Sequence, residues 1–270
     1  TFGRLVGAIR RIPTVLHEHA NLTDTPWFQK IADHALEPFT DIAIAVSQST
    51  ADFVIEARKI PADKVKVVYL GAPLEEFGRS LDDREVADAR QELAIASDDF
   101  AVGTVTRLHD SKGNEFLVDA AKKVAQERPK AKFYIVGEGP LRSQLEAQAI
   151  ANGLGDRLVF VGFVKNVART LSAFDLSVFP SLWEGTPLTA FEALAMGKPI
   201  VATDADGLLD ILTRDRDALI VPKRDAIALA EKIIWVMDHP EEKERLGRAA
   251  RLTGERYDIA AFVRKMERLY

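Results

Sequence analysis

The stretch "FPSLWEGTPLTAFEALAMGKPIVAT", residues 179–203, has the pattern of a strand, a loop, a helix and a second strand. The apolar run "LSVF" leads into it and "PIVAT" ends it, and such short runs are typical of buried parallel strands. Between them, Thr186 is a favoured N-cap residue, Pro187 suits the first helical position, and Gly197 is typical of the position after a helix end. The stretch therefore predicts a helix over 187–196 between two parallel strands.

Two glutamates flank the start of this predicted helix. Glu184 lies two residues before the cap, and Glu192 lies about one and a half turns inside the helix. Open α/β sheets bind ligands at the carboxyl ends of their strands, and the free N–H groups of residues 187–189 form an anion site. A carboxylate pair beside an anion site suits a ligand with both hydroxyl groups and phosphate. The alternative is an ordinary capped helix with two solvated glutamates, because caps are common.

Similar apolar runs recur along the chain and alternate with helical patterns. The predicted strands are 14–19, 42–47, 66–70, 100–108, 132–137, 158–163, 176–179, 199–203 and 218–221. Helical patterns between them include 113–128, 140–152 and 225–238. This alternation is typical of doubly wound α/β folds with parallel sheets.

One polar, charge-rich segment, residues 73–98, interrupts the alternation. We interpret it as the connection between two α/β units. Three predicted strands precede it and six follow it, whereas a ligand-binding half of such a fold normally has more than three. We therefore expect an α/β protein of two Rossmann-like, parallel-sheet domains. The first, 1–72, is expected to lack its N-terminal part, and the second, from 99 to 255, to be complete.

The overall composition excludes several classes of protein. The chain has 270 residues, of which 47% are hydrophobic, enough for two cores. A net charge of -5, with no run of five like charges, disfavours broad binding to nucleic acid. There is no cysteine, which excludes disulfides and thiolate metal sites, and no apolar run approaches the roughly 18 residues of a membrane span. We expect a cytoplasmic protein. The alternative is a cytoplasmic protein that associates peripherally with the inner membrane surface.

A second set of candidate residues lies in "TVTRLHDSKGNEFLVDAA", residues 104–121. Its pattern predicts a strand that ends near Arg107, a loop that contains Lys112, and a helix that begins near Gly113. Both cations can reach a diphosphate, arginine as a planar fork and lysine as a point charge. The alternative is that both are solvated surface cations, which is the usual environment of these residues.

Taken together, these motifs resemble the retaining GT-B glycosyltransferases of family four. "RLHDSKG" is similar to that family's R-L-x-x-x-K-G element, and "EGTPLTAFEALAMGKPIVAT" to its E-x7-E element. "IVGEGPLR" (135–142), "VFVGFV" (159–164) and "VSQSTADFVIEARKIPADKVKVVYLGAP" (46–73) resemble further segments in the family's order. The final "YDIAAFVRKMERLY" resembles the family's last helix, which implies that residues 256–270 cross back to the first domain.

The resemblance implies a role for each matching position. Glu192 matches the glutamate that holds the ribose hydroxyl groups of the donor, and Glu184 the one near the donor sugar. Arg107 and Lys112 match the cations that neutralise the diphosphate. The backbone groups around sugar and phosphate are those of Gly185, Thr186, Pro187 (its carbonyl only) and Leu188, and Val164 falls where such enzymes contact the base.

One histidine is expected to face the donor sugar. His19, in "IPTVLHEH", stands in place of the family's histidine after an early strand. His17 competes with it, because alternation along a strand puts residues 17 and 19 on the same side. The spacing of the motif favours His19, and a hydrogen-bonded structural histidine is the alternative for either residue.

The chain also departs from the family pattern. Thr106 stands where the family often has glycine before the arginine, and Asp206 and Asp210 stand where it often has glycine and glutamate. The acidic runs "DAD" (204–206) and "DRD" (215–217) suggest a metal site. We reject it, because a divalent ion needs several convergent oxygens, and we expect neither a metal nor another cofactor. We expect the family's first strand and its glycine-rich loop on the acceptor side to be missing from this chain.

The function that we predict is metal-independent transfer of a sugar, with retention, from a nucleoside-diphosphate sugar to an acceptor hydroxyl of unknown identity. A nicotinamide-dinucleotide fold is rejected, because "GEGPLR" has Arg142 in place of the third glycine. The remaining alternative is a domain that binds the donor without transferring it. Because the first domain is expected to be incomplete, we also expect slow turnover by the chain alone, and self-association or a partner chain at the exposed edge.

Overall fold

The computed structural model describes residues 2–19 and 26–270. All predicted strands are confirmed there, with slightly shifted ends. The strands are β1 Val15–Glu18, β2 Ile42–Ala45, β3 Val65–Val67, β4 Phe100–Val105, β5 Ala131–Val136, β6 Leu158–Gly162, β7 Leu176–Phe179, β8 Ile200–Thr203 and β9 Leu219–Val221. The α-helices of the described residues are α1 Phe2–Arg10, α2 Trp27–Ala35, α3 Gln48–Glu56, α4 Leu74–Phe77, α5 Asp83–Glu92, α6 Asn114–Glu127, α7 Arg142–Ala151, α8 Val167–Ser172, α9 Leu188–Ala195, α10 Asp206–Leu209, α11 Ala226–Asp238, α12 Pro240–Gly254 and α13 Ile259–Glu267.

The strands form two separate parallel sheets, as expected for the predicted α/β class. In the described residues, β1, β2 and β3 form the first sheet in that order. The second has six strands in the order β6-β5-β4-β7-β8-β9. From the centre of this sheet, β4, β5 and β6 follow one another towards one edge, and β7, β8 and β9 follow one another towards the other edge. The neighbours β4 and β7 therefore mark the switch point, where the direction of the strand order reverses. The loops that follow these two strands diverge and open a crevice at the carboxyl edge of the sheet.

The second sheet is buried on both faces, which explains its continuous apolar runs. Gly103 in β4 permits close packing there, because a Cβ at this position would lie 2.0 Å from the ring of Phe174. That ring in turn stacks on Tyr134 of β5, with ring centroids 5.8 Å apart. The packed core holds β4 and β7 rigidly, and with them the loops at the switch point.

A buried cluster of ion pairs connects α1, α2 and the end of α3 to the first sheet. Arg58, just beyond α3, pairs with Glu18 at the end of β1 and with Asp33 of α2. Arg4 of α1 pairs with the other carboxylate oxygen of Asp33. Removing one partner of such a cluster leaves an uncompensated buried charge, which is strongly destabilising. The cluster therefore anchors the end of β1, next to His19.

The helix predicted over 187–196 is present as α9, but its start differs from the prediction. Its N-cap is Pro187 rather than Thr186, and no side chain caps it. The hydroxyl of Thr186 instead donates to the carbonyl of Val46, at 3.2 Å. Since proline has no N–H group, the free donors at this helix start belong to Leu188 and Thr189 rather than to residues 187–189. The predicted stop is confirmed, with Gly197 in the left-handed region at a φ of +68°.

The end of the chain packs against the first sheet. Ala72 donates to the carbonyl of Tyr257 at 2.9 Å and accepts from Ile259 at 3.0 Å, which joins the start of α13 to the segment after β3. Further along α13, Lys265 donates to the carbonyl of Val67 at 3.0 Å. Within the described ranges, no helix combines the length and the apolar character needed to span a bilayer.

Candidate nucleotide-sugar site

The loops after β4 and β7 touch each other at the switch point. The carbonyl of Ser111 accepts hydrogen bonds from the backbone N–H groups of Leu182, at 2.8 Å, and Trp183, at 3.4 Å. Gly113 has a φ of +58°, and a Cβ there would lie 2.2 Å from the carbonyl oxygen of Pro180. Glycine is therefore required for both its conformation and the close approach of the two loops. This contact brings the two motifs of the sequence into one site.

Lys112 and Glu184 form an ion pair across this contact. The Nζ atom of Lys112 lies 2.6 Å from Oε2 of Glu184, and the side chains are 16% and 7% exposed. The other oxygen, Oε1, accepts a hydrogen bond from the hydroxyl of Ser181 at 2.7 Å. The sequence predicted both residues but not their pairing. Because both oxygens are engaged, Glu184 fixes the lysine ammonium at the mouth of the crevice.

Glu192 presents the opposite situation, a carboxyl group without a partner. Its Oε2 atom is buried and has no hydrogen-bond partner among the described residues. Burial, with the charge of Glu76 on α4 as a second cause, raises the pKa of Glu192 to about 7. A buried acceptor without a donor costs free energy, which a ligand hydroxyl group would recover. The carboxyl group of Glu192 is therefore able to accept hydrogen bonds that the described residues do not supply.

Arg107 follows β4 by two residues and is exposed. Its backbone carbonyl accepts a weak hydrogen bond, at 3.5 Å, from the side chain of the buried Asn114 at the start of α6. Among the described residues, no carboxylate forms an ion pair with its guanidinium group. The backbone is thus held while the side chain can reach an anion beside Lys112.

The loop residues predicted to surround the sugar and phosphate lie together at the start of α9. Gly185 is buried against α10, and Leu188 is 49% exposed. The carbonyl of Pro187 accepts a hydrogen bond from Ala190 at 3.0 Å within the helix start, so it is already engaged. Val164 lies just beyond β6, half-buried against the larger core cluster.

The two candidate histidines lie at the end of β1. His17 is half-buried, and His19 is exposed immediately before residues 20–25, which lie outside the described part of the chain. The rings of His17 and His19 are 5.7 Å apart. Burial and the neighbouring His19 lower the pKa of His17, and its Nε2 lies 3.1 Å from the hydroxyl of Tyr270. Over residues 2–19 and 26–270, neither histidine bonds to the charged residues of the switch point.

One carboxylate in each of the acidic runs that suggested a metal site accepts hydrogen bonds from protein groups. Asp204 accepts a hydrogen bond from the backbone of Lys223 at 2.8 Å. Asp217 is buried and accepts from the backbone of Thr213 at 2.6 Å and from the hydroxyl of Thr253 at 2.8 Å. These contacts give Asp204 and Asp217 structural roles. Metal independence itself remains a prediction.

A cavity of about 510 Å³ lies at the opposite, amino edge of the second sheet, between α5 and α12. Lys198 lines it and donates to the carbonyls of Ser172 and Phe174, both at 2.8 Å. Burial lowers the pKa of Lys198 to about 8. This lysine caps the end of α8, a structural role, and the cavity lies away from the site residues that the sequence predicts.

Sequence reasoning missed three residues around the site. Ser181 precedes Glu184 by three residues in the same loop, so a local signal was available. Asp210 was noted only as a departure from a pattern, yet it contacts the first unit. Glu76 approaches Glu192 from the connection between the units, and nothing local in the sequence indicates that contact.

Comparison with known proteins identifies the fold and the family of this chain. Two parallel-sheet units of Rossmann type, joined by a connection and a returning C-terminal helix, form the GT-B fold of glycosyltransferases. HepE of Anabaena, solved in complex with UDP-glucose, shares the fold with a TM-score of 0.89 at 24% identity, over 99% of this chain and 74% of that one. The chain therefore has the GT-B fold.

The chain belongs to the glycosyl transferases group 1, the family that residues 85–253 match, and residues 1–76 match Glycosyltransferase Family 4. An uncharacterized glycosyltransferase of Methanocaldococcus jannaschii is 33% identical over 214 residues, 77% of this chain. Alpha-D-kanosaminyltransferase of Streptomyces kanamyceticus is 26% identical over 253 residues, 92% of this chain. The chain spans 53% and 64% of the lengths of these two curated relatives.

Proposed function

We propose that this chain binds a nucleoside-diphosphate sugar at the carboxyl ends of β4 and β7 and transfers the sugar to an acceptor hydroxyl group with retention, without a metal ion. One observation carries the proposal. The fixed ammonium of Lys112 and the unpartnered carboxyl group of Glu192 flank the free N–H groups at the start of α9. Membership of a glycosyltransferase family, and the UDP-glucose bound by HepE, support the same class of ligand.

The donor would use these groups in distinct ways. The ribose hydroxyl groups donate to Glu192. The ammonium of Lys112 has three donors, one of which is engaged by Glu184, so two remain for the diphosphate. Arg107 adds a planar fork, and the N–H groups of Leu188 and Thr189 face the same anion. In this arrangement Val164 borders the base, and His19 faces the sugar.

The proposed reaction depends on stabilising the leaving group. The bond between the anomeric carbon and the diphosphate oxygen breaks, and negative charge grows on the diphosphate. Arg107, Lys112 and the start of α9 stabilise that charge. The acceptor oxygen forms its bond to the anomeric carbon on the face that the diphosphate leaves. A phosphate oxygen takes the acceptor proton, so configuration is retained and no side chain becomes a covalent nucleophile.

Calorimetry with a panel of nucleoside-diphosphate sugars, with and without chelator, tests the proposal. We expect at least one donor to bind with an affinity that the chelator leaves unchanged. Mass analysis with candidate acceptors then tests transfer. Absence of binding by every donor would contradict the proposal, and complete loss on chelation would contradict metal independence. Binding without transfer to any acceptor would instead indicate the donor-binding, non-catalytic alternative.

We expect Arg107→Ala to slow transfer more than it weakens donor binding, because charge on the diphosphate grows along the reaction. A tenfold or greater fall in kcat, about 1.4 kcal/mol or more, is expected from steady-state kinetics. Arg84→Ala, which removes an exposed arginine from α5, is the matched control and should leave kcat unchanged. A raised KM with unchanged kcat would make Arg107 a simple binding contact.

A further inference from the structure

Two residues of the second unit hold the turn between β2 and α3 of the first. The carbonyl of Val46 accepts the hydrogen bond from the Thr186 hydroxyl at 3.2 Å. The backbone N–H of Ser49 donates to Oδ2 of Asp210, also at 3.2 Å. These contacts join segments that are 140 and 161 positions apart in the chain. Both of the residues that make them lie in or next to the proposed donor loop.

The contact at Asp210 satisfies a group that α3 itself leaves unsatisfied. The first N–H groups of a helix have no partner within it. In α3, the side chain of Ser47 caps Thr50, at 3.1 Å, which leaves the N–H of Ser49 to Asp210. A carboxylate at the positive end of a nine-residue helix also gains from the helix dipole. Asp210 is half-buried, and these contacts offset only part of the cost of its desolvation, which raises the pKa of Asp210 above its ordinary value.

On its other side, Asp210 is tied to the loop that carries Glu184. Asp210 is the C-cap residue of the short helix α10. In that helix, the N–H of Gly207 donates to the carbonyl of Glu184 at 3.2 Å. A Cβ at Gly207 would lie 2.6 Å from the carbonyl oxygens of both Glu184 and Gly185. With so little space between them, α10 and the loop move together.

We propose that Asp210 is a positioning residue, which couples the placement of the first unit to the donor loop through α10. This inference rests on the proposed function. Apart from His19, which faces the sugar, the residues proposed to bind the donor belong to the second unit. Loss of the Asp210 contact therefore shifts His19 and the rest of the first unit relative to the bound donor and slows transfer, while the donor contacts of the second unit stay in place.

Amide hydrogen exchange measured by NMR tests the contact without any donor. In Asp210→Ala, the Ser49 amide should exchange about tenfold faster or more, a loss of protection of about 1.4 kcal/mol. The Ala57 amide at the other end of α3, which donates to the carbonyl of Phe53 at 2.8 Å, should keep its rate and serves as an internal control. Asp206→Asn on the same short helix changes an exposed carboxylate and should leave both amides unchanged. Unchanged exchange of Ser49 in Asp210→Ala would overturn the inference.

Kinetics test the coupling. We expect Asp210→Ala to lower kcat about tenfold and to change donor affinity by less than about twofold. Asp210→Asn, which keeps an acceptor oxygen without the charge, should give an intermediate kcat and guards against a folding defect. Faster Ser49 exchange with unchanged kcat would reduce Asp210 to a structural contact and overturn the positioning role. If the wild type binds no donor, the proposed function fails, and the exchange measurement still decides whether Asp210 holds the units together.

Discussion

Lys112→Ala is expected to lower the free energy of unfolding by roughly 3 kcal/mol and to slow transfer on the order of 100-fold. The loss of stability follows from Glu184, whose carboxylate is only 7% exposed and would lose its counter-ion. Breaking a buried ion pair from one side costs about 3–5 kcal/mol, and the partial exposure of Lys112 favours the lower value. Urea unfolding, with midpoint and slope compared to wild type, measures the change.

The chain provides a matched control for this prediction. Lys123 and Glu127 on α6 form a pair at 2.7 Å, but their side chains are 39% and 42% exposed. Lys123→Ala should therefore change stability by less than about 0.5 kcal/mol and leave transfer unaffected. The double variant Lys112→Ala with Glu184→Gln should recover part of the stability, because the buried charge is gone, and none of the transfer rate. Equal losses of stability in the two single lysine variants would contradict the role of the buried pair.

Glu192→Gln is expected to have effects of opposite sign on stability and on donor binding. The pKa of Glu192 is raised to about 7 in the folded protein, whereas it is ordinary in the unfolded chain. The folded state therefore holds a proton that the unfolded chain has released between about pH 4.5 and 7. The stabilising contribution of this proton is complete at lower pH and is lost as the pH rises towards 7. Glutamine lacks the charge, so the variant should be more stable than wild type by about 1–2 kcal/mol at pH 8. This value is smaller than the free-energy equivalent of the full pKa shift, because solvent screens part of the electrostatic effect.

The same substitution should weaken donor binding by about 1–3 kcal/mol at pH 8, the usual contribution of a hydrogen bond to a charged group. In the wild type, binding should weaken as the pH falls below about 7, because protonation removes the charged acceptor, and in Glu192→Gln this dependence should vanish. Glu76→Gln removes a charge that raises the pKa of Glu192, so it should extend tight binding to lower pH. Calorimetry at several pH values, together with thermal unfolding of the free protein, measures both effects.

Two outcomes would contradict this account of Glu192. A Glu192→Gln variant that is less stable than wild type at pH 8 would mean that the carboxylate is not strained in the free protein. Equal affinity of the wild type for ribose and deoxyribose donors would mean that the residue does not read the ribose hydroxyl groups. If Glu192→Gln raises the stability of the protein and weakens donor binding, the residue is retained for function although it destabilises the fold.

Much of the fold follows from patterns that are local in the sequence. Apolar runs predicted the strands of both sheets, and in the second sheet they are continuous because strands buried on both faces have no polar side to alternate with. Gly197 predicted the end of α9, since only a residue tolerant of the left-handed region fits there. The start of α9 was wrong by one residue, because Thr186 bonds to Val46, a contact that its neighbours in the sequence do not reveal.

The identities of Arg107, Lys112, Glu184 and Glu192 as candidates were determined by the sequence alone, since each stands in a motif beside a predicted strand end or helix start. Their relations were decided only by the tertiary structure. Lys112 meets Glu184, 72 positions away, because the order of the sheet makes β4 and β7 neighbours. Likewise, Glu76 lies close to Glu192 because the connection packs against the second unit. Asp210 meets Ser49 because the two units pack against each other. Local propensities act over a few residues, whereas strand order and packing determine which distant loops share a crevice and which charges are buried together.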